Sequence, residues 1–141
     1  MLTFENYLTD IPFLIAGIPL TIGISIGAFI CGVIISLPMA VIRILKTPFI
    51  NQIILGWIEF FRTTPPLVHI VWIYYVFPVA FDLRFSALTV VILALSANTS
   101  AQMAEIFRAG IQSISRGQTE AGTVLGLNYV QRLFYIILPQ A

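Results

Sequence analysis

Three long stretches of this chain carry no charged side chain: Ile11 to Ile42, Thr63 to Phe81 and Phe85 to Ala104. A helix needs about 20 mostly apolar residues to cross the hydrocarbon core of a bilayer, and each stretch reaches or approaches that length. The pattern predicts three spanning helices, roughly 12–42, 53–79 and 86–108. The first is long enough to tilt or to run into the headgroups. Pro19 and Pro38 predict an irregular start and a kink near its far end. Residues 1–10 hold Glu5 and Asp10 and no basic residue, which is not how a cleaved signal peptide begins.

Polar and small positions give the apolar runs internal structure. Gly23 and Gly27, then Ala28, Gly32, Ser36 and Ala40, form stripes of small residues on the first run. In lipid such stripes let a second helix, of the same subunit or of another, approach closely. In the second run, Glu59 and Arg62 can meet on one helix face. Pro65 and Pro66 then interrupt backbone bonding, which at membrane depth is tolerated beside protein or a water-filled path. Trp72, Tyr74 and Tyr75 either line such a path or pack on a neighbour. His69, the single histidine, reads as a packed or hydrogen-bonded helix residue, with a substrate or proton role as the alternative. The third run carries Ser96, Asn98, Thr99, Ser100 and Gln102, suited to interhelical hydrogen bonds or to lining a path. None of the runs holds a mid-span carboxylate, the group an ion-coupled carrier often uses.

Composition agrees with a membrane protein. The chain is 59% hydrophobic and 9% charged, against about 45–50% and roughly 25% in soluble domains. Mean hydropathy is +0.99. A net charge of +1 gives no electrostatic reason to expect nucleic acid as a partner. Cys31 is the single cysteine, so no intrachain disulfide is possible. No Ser/His/Asp arrangement, metal-ligand cluster or phosphate-binding glycine loop is legible, so the chain is expected to carry no catalytic residues, no metal and no cofactor of its own.

Charge placement predicts orientation. Arg43, Lys46, Arg62, Arg108, Arg116 and Arg132 fall on one side, and only Arg84 on the other, if the N-terminus faces out. The stretch 109–132 is then cytoplasmic. Its chemistry spells helix, turn, helix. Ser115 and Gln118 fit a capping box. Ala121, Val124 and Leu125 share one helix face, and Gly126 suits a left-handed terminator followed by Leu127. Asn128 and Gln131 repeat the box, and an apolar stretch runs from Leu133 to Leu138 before Pro139. A helix of two or three turns is not stable alone in water, so the first of the pair needs a surface to dock on.

The spacing Glu120-Ala121-Gly122, three residues, Gly126, nine residues, Ile136, one residue, Leu138-Pro139 resembles the EAA loop of ABC importer permeases, with Gly122 where alanine is usual. The stretches Ala104 to Ile114 and Phe61 to Val68 resemble the polar amino-acid (histidine/glutamine/arginine-type) branch of that family. Thr63 replaces a common glycine there, and Gln102 a frequent aromatic. The resemblance implies an all-α membrane protein, a type I ABC importer permease (MetI-like) transmembrane helix bundle. It also implies that residues 1–141 form a single permease domain, the N-terminal part of an expected five-span subunit. The EAA coupling loop would occupy about 109–132 and a further span would start at about 129–141.

The resemblance further implies a bacterial inner-membrane importer of polar amino acids. Its partners would be a cytoplasmic ABC ATPase dimer that uses ATP and Mg, a second permease subunit, the same or homologous, an extracytoplasmic solute-binding protein and the lipid bilayer. Glu120, Ala121, Gly122, Gly126, Leu138 and Pro139 would couple to the ATPase. Arg62, Thr64, Pro65, Asn98, Gln102 and Glu105 are the candidate pathway or gating residues. A permease of the same superfamily for another small solute, an ion-coupled secondary carrier and a structural membrane subunit are the alternatives.

Overall fold

The structure, a computed structural model, describes residues 4–45 and 48–141, with side chains from residue 11 onward. Lys46, counted in the orientation reading, lies outside the described residues, as do residues 1–3 and Thr47. Among the described residues six α-helices follow one another: α1 Phe4–Leu45, α2 Pro48–Thr63, α3 Pro66–Phe81, α4 Ala87–Ser113, α5 Arg116–Val124 and α6 Tyr129–Arg132. A π-helical turn, Leu133–Ile137, continues α6. The described residues contain no strand, so the chain is all-α as its pattern implies.

The first apolar run forms a helix longer than expected at both ends. At 42 residues and 1.5 Å per residue, α1 is roughly 60 Å long, twice the hydrocarbon thickness. It stays helical through Pro12, Pro19 and Pro38, so no interruption occurs at Pro19. Each proline removes one hydrogen bond, whereas a break in lipid would free several backbone groups at once.

The small-residue stripe explains how α1 meets α4. Ala28, Ser36 and Ala40 are buried. At Gly32 a β-carbon would stand 2.6 Å from Thr99 Cβ and 3.1 Å from the Ser96 carbonyl oxygen. Only glycine permits that approach. At Gly23 and Gly27, earlier on the stripe, a β-carbon would meet nothing within 4 Å. On the other side of α4, Ile54 and Ile58 of α2 pack on Ala101 and Ala104, with Met39, Ile42 and Phe61 around them.

The expected span 53–79 is two helices, α2 and α3, bent by 105°. Two helices, Ile11–Leu45 and Ala87–Ser113, are long and apolar enough to cross a membrane singly, and the bent pair makes a third if it counts as one. The bend follows from Pro65 and Pro66. Neither has an N–H, and the residue before a proline disfavours α geometry. The third run starts cleanly: Ser86 caps α4 by accepting from the Thr89 backbone N–H at 3.2 Å. Large apolar side chains such as Phe13, Leu14 and Val79 face outward, the arrangement a lipid surround stabilises.

Candidate functional site

Two places gather the chemistry. The first is the elbow between α2 and α3. In a straight helix the Phe61 carbonyl would accept from residue 65 and the Arg62 carbonyl from residue 66, but both are proline. The end of α2 is finished by side chains. Thr63 Oγ1 donates to the Glu59 carbonyl at 2.7 Å. Asn98 Nδ2, from α4, donates to the Phe61 carbonyl at 2.6 Å. Asn98 in turn accepts from Gln102 Nε2 at 2.7 Å. Nearby, Trp57 Nε1 donates to Ser100 Oγ at 3.2 Å. The polar positions of the third run thus make the interhelical bonds that suit them, at Asn98 and Ser100.

Beside the elbow, Arg62, Gln102, Glu105 and Ile106 line an open, largely polar cavity of about 450 Å³. Of the six candidate pathway residues, Arg62, Gln102 and Glu105 meet there. Asn98 is buried behind it, and Thr64 and Pro65 form the turn without lining it.

The expected pairing of Glu59 with Arg62 is not made. Among the described residues the ion pairs are Arg43–Glu105 and Arg108–Glu105, the latter at 2.8 Å. Glu59 and Arg62 are both exposed, and an exposed pair gains little over solvation. Glu105 is instead held between two guanidiniums, one from α1 and one from its own helix, and Arg108 also donates to Gln112 Oε1 at 2.9 Å. In the sequence alone, Arg43 serves only as an orientation signal. That it closes the first apolar run just as Glu105 and Arg108 close the third is the trace this network leaves in the sequence.

His69 is buried, with its ring 4.6 Å from that of Phe61 and 5.3 Å from that of Phe60. Neither of its nitrogens has a hydrogen-bond partner among the described residues. It is packed rather than hydrogen-bonded.

The second place is the hairpin after α4. The Ser115 side chain makes no capping bond, so the expected capping box is absent there; the Gln118 N–H goes to the Ser115 carbonyl at 3.1 Å. A turn that satisfies this donor with backbone leaves the hydroxyl without that role. The exit of α5 is as expected. Gly126 has φ +75°. Its N–H donates to the Thr123 carbonyl and that of Leu127 to the Gly122 carbonyl, both at 3.0 Å, the pair of bonds that defines a Schellman turn. At Asn128 the capping box is complete, with both arms 2.9 Å long.

The hairpin closes on Gly122. This glycine is buried in α5, and a β-carbon on it would lie 2.8 Å from Ile136 Cδ1 and 2.9 Å from Arg132 Cγ. Arg132 also bonds Thr123 Oγ1. The absent side chain therefore serves the chain's own hairpin. Glu120 and Ala121 are exposed, and Val124 and Leu125 are 88% and 75% exposed. The apolar face read from the sequence is present and is left uncovered by this chain. Leu138 is half-buried near Leu37 and Phe134, and Pro139 is exposed.

The family described as "Binding-protein-dependent transport system inner membrane component" matches residues 32–141. The chain is 39% identical over 140 residues to the probable amino-acid permease protein YxeN of Bacillus subtilis, covering 98% of this chain and 62% of that protein. It is 37% identical over 132 residues to the glutamine transport system permease protein GlnP of Escherichia coli, covering 93% and 60%. A crystal structure of an amino acid ABC transporter with histidines superposes with a TM-score of 0.87 at 33% identity, covering 99% of this chain and 65% of that one. The chain spans about three-fifths of the length of these curated relatives.

Proposed function

This chain belongs to the inner-membrane components of binding-protein-dependent transport systems, and from that premise we propose that it is a permease subunit of an ATP-driven importer of polar amino acids. The observation that carries the reading is the hairpin of α5 and α6. A nine-residue helix is fixed from behind by a Schellman turn, a capping box and the Gly122 contact. It presents Ala121, Val124 and Leu125 with nothing upon them and Glu120 beside them. Such a helix suits a groove in a partner, where apolar positions one turn apart act as anchors. In this reading the partner is a cytoplasmic ATPase that binds and hydrolyses ATP with Mg. Closure of the ATPase pair pushes on α5, and the rigid hairpin passes that movement to the spans.

The amino-acid class rests on the relatives, two of which are a probable amino-acid permease and a glutamine transport permease. An extracytoplasmic binding protein delivers the solute, and a second permease subunit completes the path. The polar cavity of Arg62, Gln102 and Glu105 offers a cation, an amide and a carboxylate, the groups a zwitterion can engage in passing. The N-terminus lies outside and the hairpin inside, in keeping with the basic residues.

The docking half is tested with the whole subunit co-expressed with its ATPase. Leu125→Asp places a carboxylate in the proposed groove without touching the hairpin's internal contacts. Insertion is expected to be normal and ATPase recovery with the subunit to fall at least about tenfold, the cost of desolvating an unpaired charge. Normal ATPase recovery would contradict the reading.

A further inference from the structure

The elbow has a feature that membership of the family does not supply. A carbonyl orphaned in lipid is costly, and the chain has made one at Phe61 by placing Pro65 four residues on. The replacement donor comes from another helix: Asn98 Nδ2, at 2.6 Å, on a side chain that is 7% exposed. Its orientation follows by elimination. A carbonyl only accepts, so Asn98 turns its NH₂ to Phe61 and its oxygen to Gln102, which must present its own NH₂. The bond therefore fixes three things at once: the end of α2, the face of α4 and the amide of Gln102 at the polar cavity. Arg62, next to the captured carbonyl, is a lining residue of that cavity.

We propose that Asn98 is the positioning residue of the proline elbow, supplying from α4 the hydrogen bond that Pro65 withholds from Phe61 and so holding Arg62 at the polar cavity. Asn98 does not line the cavity; it acts through the Phe61 carbonyl and Gln102. The geometric part stands on the hydrogen bonds alone, and the consequence for transport rests on the proposed function.

The test uses the whole subunit, assembled with its partners, in a Cys31→Ser background. Spin labels go on cysteines introduced at Ile50 of α2 and Val79 of α3, both outward-facing, and pulsed electron paramagnetic resonance reads the α2–α3 distance distribution. Asn98→Leu removes the donor. Asn98→Ala also removes the donor, with a smaller side chain that cannot overpack the site, so it serves if the leucine variant fails to assemble. Both are expected to broaden or shift the distribution, and uptake of L-glutamine is expected to fall at least about tenfold. In a Pro65→Ala background residue 65 regains its N–H, and replacing Asn98 is expected to change the distribution by less than half as much. A purely structural residue would show the same change in both backgrounds. An unchanged distribution in both Asn98 variants, or the same broadening with and without Pro65, overturns the proposal. Distances that respond as expected while uptake stays normal would uphold the elbow and remove it from the translocation path.

Discussion

Gly122 of α5 faces Ile136 so closely that a β-carbon would stand 2.8 Å from the Ile136 Cδ1. This contact, with the Arg132 stem beside it, makes the two short helices one body. It changes what a substitution there should do. Alanine improves helix propensity by about 1 kcal/mol, but the Ile136 and Arg132 side chains must shift to admit it. Ile136 Cδ1 is the end of its side chain and can turn aside, and the exposed rim of the hairpin lets the Arg132 stem follow, so Gly122→Ala is expected to leave uptake within about twofold of the parent. A β-carbon on Gly126 would meet nothing within 4 Å, but the residue sits at φ +75°, where a side chain costs roughly 1–2 kcal/mol in strain and a β-branched one most. Gly126→Val is expected to lower uptake per inserted subunit about tenfold. Equal or reversed effects of the two changes would mean that the Schellman turn does not set the position of α5.

The network at Glu105 predicts an asymmetry between single and double changes. Glu105→Gln leaves Arg43 and Arg108 facing each other without their shared anion. The expected loss is about 2 kcal/mol, below the roughly 3–5 kcal/mol of a fully buried pair because the side chains keep partial access to solvent. Replacing Arg43 and Glu105 together by methionine removes both charges and should cost less than Glu105→Gln alone. Thermal unfolding of the assembled complex in detergent reads both. A double variant less stable than the single one would show that the pair does more than neutralise charge.

Orientation is open to chemical labelling. Single cysteines at Thr3, Thr47, Ser86 and Ser113 in a Cys31→Ser background are exposed to an impermeant thiol reagent on intact cells. Positions 3 and 86 are expected to react and positions 47 and 113 to remain unlabelled until the cells are opened. Labelling of 47 and 113 but not 3 would invert the topology.

The sequence carried what depends on local rules. Apolar runs marked α1 and α4, Pro65 and Pro66 marked the interruption, and Gly126 and Asn128 marked the hairpin because a left-handed turn and a capping box each require particular residues within a few positions. What it did not carry was partnership across distance. Nothing near Glu59 and Arg62 said that they would stay apart, because either arrangement is cheap at a surface. Glu105 and Arg43 lie on different spans, and only packing along the Ala28, Gly32, Ser36 and Ala40 stripe brings their ends together. The bond from α4 to the Phe61 carbonyl at the elbow is likewise one that no local pattern near Pro65 announces.

The central claim is that this subunit passes ATP-driven movement through α5, and one measurement addresses it directly. The whole subunit is reconstituted in proteoliposomes with its ATPase and its binding protein, and uptake of a labelled polar amino acid is followed with and without ATP, for the parent and for Glu120→Lys. Glu120 is exposed and touches none of the hairpin's closing contacts, so the variant should insert and fold as the parent does. Reversing its charge at a docked interface exchanges attraction for repulsion. The account predicts uptake that requires ATP in the parent and is lost in the variant, with equal amounts of subunit in the membrane. Uptake that proceeds without ATP, or that is undiminished in Glu120→Lys, would contradict it.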